Sequence, residues 1–401
     1  MTTRITWLVL MLLLTPFAFA QETVIYRFGA AGPGDGSQPN GGLVFDPAGN
    51  IYGTTVQGGS FGFGTVFELS PLQDGTWQET ILYSFCSTIN LCPDGQYPRA
   101  GLIFDTSGNL YGMTPTGGAH GSGTVFELSP PAVPGGNWTQ QVLWSFGEAN
   151  DGLNPYGSLA IDTAGNLYGT TYGSTNVGAG LVFELSPGQH GWTESLPHVF
   201  CLNYPDCSDG ALPMAGVTFD KAGNLYGTTM FGGQPHKIGC GVAYELSPTK
   251  SGWTETVLKV FNSTSGGRTS AGITIGPAGQ LYGGLSQGEA NSCGGYFRLK
   301  TFGVFQLSGG NGCSPQADLL YNSGALFGAT SQGGNSQGVL FKFSKSGNKV
   351  TQTILYDFCQ QANCADGSQP NGSLTLRNAR LYGATAAGGT NNFGVVYQIT
   401  Q

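Results

Sequence analysis

From Glu22 onward the chain is written in short segments rich in apolar, β-branched and aromatic residues. Each segment is bounded by Gly, Asn, Asp, Ser or Pro. In one stretch, Gly101-Leu-Ile-Phe-Asp105, Leu110-Tyr-Gly-Met-Thr114, Thr124-Val-Phe-Glu-Leu128 and Trp138 to Phe146 read as four strands, A to D. A Thr-Ser-Gly-Asn turn joins A to B, its Gly and Asn suited to positive φ. A Gly-rich loop joins B to C, and a Pro/Gly-rich loop joins C to D.

The same four-strand pattern recurs along the chain. A Tyr-Gly or Phe-Gly step marks each copy, at Tyr52, Tyr111, Tyr168, Tyr226, Tyr282, Phe327 and Tyr382, with spacings of 59, 57, 58, 56, 45 and 55. Seven copies of four strands could stack as a solenoid or close into a ring, and the two ends decide. Glu22-Thr-Val-Ile-Tyr-Arg-Phe28 matches strand D (compare Glu79 to Phe85), and Gly394-Val-Val-Tyr-Gln-Ile-Thr400 matches strand C with no D after it. Pairing the spare D with the orphan C completes the seventh copy and removes open edges. A solenoid would instead want polar capping repeats. The expected fold is all-β, a seven-bladed β-propeller of four-stranded blades whose last blade is closed by the N-terminal strand.

The string G-L-x-F-D-x-x-G-N-L-Y-G-T-T-x-x-G-G…G-T-V-F-E-L-S-P resembles the Gloeobacter/Verrucomicrobia-type tandem repeat of exported bacterial proteins. The resemblance covers essentially all of the chain after residue 20. Copies 5 and 6 depart from it. Gly276 stands where Asp46, Asp105, Asp162 and Asp220 stand elsewhere, and Arg298 and Lys342 replace the strand C Glu. The resemblance implies no assigned biochemical activity. Members often end in a surface-sorting anchor, which is not expected here because the chain stops one residue after its last strand.

Composition fits this picture. Gly accounts for 68 of 401 residues, about 17% against a usual ~7%. Interior Gly disfavours helices, the absence of a Gly-x-y period excludes collagen, and 12% aromatics argue against disorder. Charged residues make up only 9%, the formal net charge is -8, and the 15 Lys and Arg form no basic run, so nucleic acid is not an expected partner.

The N-terminus reads as a secretory signal. Arg4 precedes an apolar core, Trp7 to Leu14, and Ala18-Phe19-Ala20 forms a cleavage site that leaves Gln21 first. That apolar run is too short to span a bilayer, so a secreted or periplasmic chain with no transmembrane segment after cleavage is expected.

Nine cysteines suit an oxidising compartment. Cys86/Cys92, Cys201/Cys207 and Cys359/Cys364 each follow a strand ending in Phe and precede Asp-Gly, which reads as three local disulfides. Metal ligation is the rival reading, but the pairs lack C-x2-C spacing and nearby His. Cys293 is expected to pair with Cys313, since both lie on one face at the blade 5/6 boundary. Cys240 is then left over.

Alternating strand directions put the D–A and B–C loops on one face and the A–B and C–D turns on the other. The first face holds every cysteine and the variable Gly/Asn/Ser loops, and variable loops on a rigid scaffold are where binding usually lives. Asp35, Asp94, Asp151, Asp209 and Asp366 each begin an Asp-Gly in a D–A loop. They could form a carboxylate ring for a polar ligand or a structural cation such as calcium. They could equally be turn formers, and their recurrence with the fold repeat favours the turn. The strand A aspartates read as hairpin caps, and the strand C glutamates as cross-strand partners of strand D. Trp77, Trp138, Trp192 and Trp253 are expected to pack on the neighbouring C–D loop. His120 and His236 lie in B–C loops and could act as base or ligand. The asymmetric stretch around Arg268, Glu289, Arg298 and Lys300 is a further candidate.

No nucleophile elbow, zinc-protease or P-loop motif is present. No cofactor is implied. The expectation is a monomeric exported scaffold that binds a polysaccharide or protein ligand through the disulfide-bearing face. A carbohydrate-active hydrolase or lyase is the alternative, and a purely structural envelope protein the third reading.

Overall fold

The computed structural model describes residues 21–400 except 33, 89–90, 134, 177, 235–238, 263–266, 288–292, 301–302 and 348. The expected signal segment, 1–20, lies outside the described residues. The chain forms seven antiparallel sheets arranged as the blades of a propeller, with no α-helix among the described residues. In blade 2 the strands run Ile103–Phe104, Leu110–Thr114, Thr124–Ser129 and Thr139–Ser145.

The seventh blade closes as the two chain ends suggest. Gln21–Arg27 pairs with Val395–Thr400 from Gln21↔Thr400 to Arg27↔Val395. Strand A is shorter than expected, two or three residues in every blade. The residues just before it bond to neighbouring blades instead of to their own ladder: Thr54 Oγ1 donates to the Ala100 carbonyl at 2.9 Å and Thr170 Oγ1 to that of Ala215 at 2.8 Å. In blades 1 and 3 the D–A loop adds a short fifth strand, Gly36–Pro39 and Gly152–Pro155, against the far end of strand B.

The cores lie between blades. In every blade but the fifth, where Leu307 takes the place, strand D ends in an aromatic that enters the next blade. Phe28 meets Phe67, Phe85 meets Phe126, and Phe146 meets Phe183, all with centroids 5.1 Å apart. All six of these rings are fully buried. The repeated Tyr-Gly step explains how the ring fits. Gly112 pairs with Phe126 across the B–C ladder, and a Cβ on Gly112 would sit 2.5 Å from Phe126 Cζ. The aromatic lies flat over the glycine, so the glycine is required for close approach.

The four strand D tryptophans also serve the blade junctions. Trp138, Trp192 and Trp253 sit against Tyr52, Tyr111 and Tyr168 of the preceding blade, at 5.9–6.4 Å between centroids. Trp77 packs in the cluster that includes Tyr382. Their ring partners are thus on the preceding blade, beside the expected C–D loops.

The aromatic–glycine interlock predicts that Gly112→Ala destabilises the fold by about 1–3 kcal/mol, the usual range for overpacking. Gly303→Ala, where an added Cβ meets nothing within 4 Å, should stay within about 0.5 kcal/mol. Denaturant unfolding of both variants measures the difference, and equal stabilities would contradict the interlock.

Candidate functional site

The five D–A aspartates do not converge on the axis. Each is engaged at its own blade junction. A bulge near the end of strand D turns one side chain, such as Tyr26, Tyr83 or Tyr356, toward the loop that follows. The loop aspartate receives it. Tyr26 Oη donates to Asp35 at 3.2 Å, Tyr83 Oη to Asp94 at 2.7 Å and Tyr356 Oη to Asp366 at 2.8 Å. At the blade 3/4 junction His198 Nε2 lies 3.2 Å from Asp209. Backbone N–H groups complete the turn, with Ser87 donating to Asp94, Gly147 to Asp151, Cys201 to Asp209 and Gln360 to Asp366. The geometry is that of turn formers.

A glutamate from the next blade's strand D joins several of these clusters. Glu79 faces Asp35 and accepts from Tyr26 Oη at 2.8 Å. Glu194 faces Asp151. Glu255 feels His198 and Asp209, and Glu22 feels Asp366. Burial and the adjacent aspartate push Glu79 and Glu194 from an ordinary 4.5 up to about 8, and burial with Asp366 pushes Glu22 up to about 7. At the Glu79/Asp35 and Glu194/Asp151 junctions the glutamate therefore keeps its proton at neutral pH beside the loop aspartate.

The other expected candidates are dispersed. His120 Nε2 lies 3.4 Å from Glu148 on the exposed loops at the blade 2/3 junction. Arg268 stacks on Phe231 at 4.5 Å. His236 and Glu289 lie outside the described residues. Among the described residues no group of three or more His, Cys, Asp or Glu could hold a metal ion. The sulfurs pair as Cys86–Cys92, Cys201–Cys207, Cys293–Cys313 and Cys359–Cys364, with Cys240 a free thiol.

The concave site is a cavity of about 810 Å³ on the axis, at the mouth formed by the D–A and B–C loops. None of the described ligand candidates lines it. One position per repeat does: the residue after the recurrent proline, or after Thr269 in blade 5. Blades 1, 6 and 7 present the amides Asn40, Gln316 and Asn371. Blades 2, 3 and 4 present Arg99, Tyr156 and Met214, and blade 5 presents Ser270.

A repeated backbone device delivers these residues. The residue before each proline, namely Gln38, Tyr97, Asn154, Leu212, Ser314 and Gln369, holds a left-handed φ of 53–59°. Left-handed non-glycine residues are uncommon, and such strain gathers at functional sites. Each is fixed by its own N–H, which donates to a carbonyl of the preceding blade: Tyr97 to Phe63 at 2.8 Å, Asn154 to Ser122 at 2.9 Å and Gln369 to Gln337 at 2.8 Å. The proline is locked in the same way, since a Cβ on Gly64 would strike Pro98 Cδ at 2.7 Å. Small residues then bring adjacent strands together, and a Cβ on Gly41 would meet the Ala100 carbonyl at 2.5 Å.

The lining is polar and nearly uncharged. Its two charged residues are Arg99 and Asp318, which lie three blades apart around the ring. Asp318 takes the place that Gly42, Gly101 and Gly216 hold in other blades. The Gly272 N–H donates to it at 2.6 Å, while burial pushes its carboxyl above the usual range. Asn371 Oδ1 is buried and accepts no hydrogen bond from the protein.

Fold and cavity together define a seven-bladed propeller with a polar axial cavity. Family models match residues 14–218 and 197–397, and the chain belongs to the Gloeobacter/Verrucomicrobia repeat family. A comparison with curated proteins gives no match. Solved structures resemble it in fold. A Bacteroides uniformis protein provisionally named a 6-phosphogluconolactonase is 13% identical, covering 78% of this chain and 83% of its own, with TM-score 0.48. A Lactobacillus plantarum protein is 12% identical over 80% and 85%, with TM-score 0.50. An ulvan lyase of polysaccharide lyase family PL25 is 9% identical over 94% and 95%, with TM-score 0.49.

The protonated clasps predict an alkaline loss of stability. A glutamate whose value is raised on folding holds a proton that the unfolded chain has already released above about 4.5. Its contribution is therefore full below that point and is lost as pH rises through about 7 to 8, where Glu22, Glu79 and Glu194 titrate. Thermal melts should fall between pH 6 and pH 9, and Glu79→Gln should flatten part of that slope. A melting temperature constant over this range would contradict the retained protons.

Proposed function

We propose that this is an exported binding module whose ligand is a saccharide held in the axial cavity. The observation that carries the reading is the ring of post-proline residues. The scaffold around them repeats, yet the ring presents amides, hydroxyls, an arginine and an aromatic in an uneven arrangement. Amides and hydroxyls match sugar hydroxyls in hydrogen-bonding capacity, and Tyr156 offers an aromatic face with a polar tip. The buried Asn371 Oδ1 is an acceptor that a ligand hydroxyl would satisfy. At about 810 Å³ the cavity is within the range of ligand sites. It is encircled by all seven blades, so it suits the end of a chain or a short oligomer. A protein ligand would favour a buried apolar or aromatic hot spot, and this lining is mostly amide, hydroxyl and backbone. Hydrolysis of glycosides ordinarily uses two carboxyl groups, and the described lining offers Asp318 alone.

A glycan array probed with the protein from Gln21 onward should find saccharide ligands. Tyr156→Ala should weaken them at least about tenfold, the effect expected of an aromatic anchor. Capture of a protein partner with every saccharide inert, or undiminished saccharide binding by the variant, would contradict the reading.

The signal-like residues 1–20 and the four disulfides, which persist in oxidising compartments, support export. Intact mass of protein recovered outside the cytoplasm should correspond to a chain beginning at Gln21 with one free thiol. An N-terminus at Met1 would contradict the signal, and more than one free thiol would contradict the pairing.

A further inference from the structure

We propose that the axial site selects an acidic saccharide, with Arg99 as the anchor for a sugar carboxylate and Tyr156 beside it as the stacking face. This inference rests on the saccharide reading above and adds its charge class.

Arg99 is exposed, lines the cavity, and makes no ion pair or hydrogen bond among the described residues. In a chain with 23 acidic and only 15 basic residues, an arginine with no acidic partner among the described residues, in the axial cavity, is conspicuous. Its fork of donors matches a carboxylate bidentately. The post-proline device holds it in place. Tyr97, directly before Pro98, carries φ 59° and donates its N–H to the Phe63 carbonyl at 2.8 Å. The backbone of the anchor is thus fixed in the free protein, which lowers the ordering cost of binding.

The neighbours support an anion there. Tyr156 occupies the equivalent position one blade further on, with its ring braced edge-on by Tyr172 at 5.9 Å. A sugar ring lying against Tyr156 would bring a substituent within the adjacent blade's reach. The one carboxylate in the described lining, Asp318, stands three blades away and is already engaged by the Gly272 N–H. The clasp aspartates and glutamates are turned into blade junctions and do not line the cavity. Amides from blades 6, 7 and 1 complete the wall and would take the neutral hydroxyls.

The test is calorimetric titration of the protein with a short oligouronate and with the neutral oligosaccharide made from it by carboxyl reduction. The backbone sugar is then the same in both arms. The uronate should bind at least about tenfold more tightly, as expected for a charge-assisted hydrogen bond in a cavity, and added salt should narrow the gap. Arg99→Gln should bring the uronate down to the level of its reduced form with an unchanged melting temperature. Lys221→Gln, the same charge change on an A–B turn of the opposite face, should leave uronate affinity intact. Equal affinity for the two sugars, or unaltered uronate binding by Arg99→Gln, would overturn the acidic assignment while leaving the saccharide reading standing. A sulfated oligosaccharide that outcompetes the uronate through Arg99 would overturn the carboxylate. No binding of any saccharide would overturn both readings.

Discussion

The ring depends on one contact made at nearly every blade junction. The aromatic that ends strand D inserts into the next blade and meets the strand C aromatic, which itself lies over a strand B glycine. Phe28 on Phe67 joins the N-terminal strand to blade 1, and Phe358 on Tyr397, 4.9 Å apart, seats blade 6 on blade 7. Blades that bury both faces leave few positions for charge, which is why only 9% of the chain is charged. The glycine excess has the same origin. Gly53, Gly112 and Gly169 sit where an added Cβ would lie within 2.6 Å of a strand C ring.

With the blades locked, the loop face divides into two concentric zones. The outer zone holds the clasps, where a loop aspartate gathers a strand D side chain, backbone N–H groups and, at several junctions, a protonated glutamate. Disulfides tie the same D–A loops at three junctions. The inner zone is the mouth ring, one residue from each blade. The outer zone fixes the backbone through bonds the repeat conserves within itself, so the inner residues are free to differ from copy to copy. Asn40, Arg99 and Tyr156 are three different chemistries on one backbone geometry.

This division explains what could be read in the sequence. The architecture was legible because each copy repeats the same strand signals and because the spare strand D at Glu22 complements the missing one after Thr400. The hairpin role of the strand A aspartates was legible too. Asp105 accepts from the Asn109 N–H at 2.9 Å and from Asn109 Nδ2 at 2.8 Å, as a capped turn requires. The site was not legible, because attention to recurring charged residues leads to Asp35 and its equivalents, and these recur for structural reasons. The sign of the site was the opposite one: a position that varies from copy to copy directly after a proline kept in six of the seven. Nor does sequence alone reveal that Gln38, Tyr97 and Asn154 are left-handed, since none is glycine and each is held so by a carbonyl of another blade. The glutamates of the clasps were equally hidden, because Glu79 meets Asp35 only once the ring has closed.

Under the proposed function, the variable mouth ring, and not the disulfide loops or the outer rim, is where this propeller meets its ligand. A crystal structure of the protein with a saccharide it binds tests that directly. Density is expected in the axial cavity, with the sugar against Tyr156 and a polar contact to Arg99 or Asn371. Density on the outer rim or on the face of the A–B and C–D turns, with the axial cavity holding only water, would contradict it.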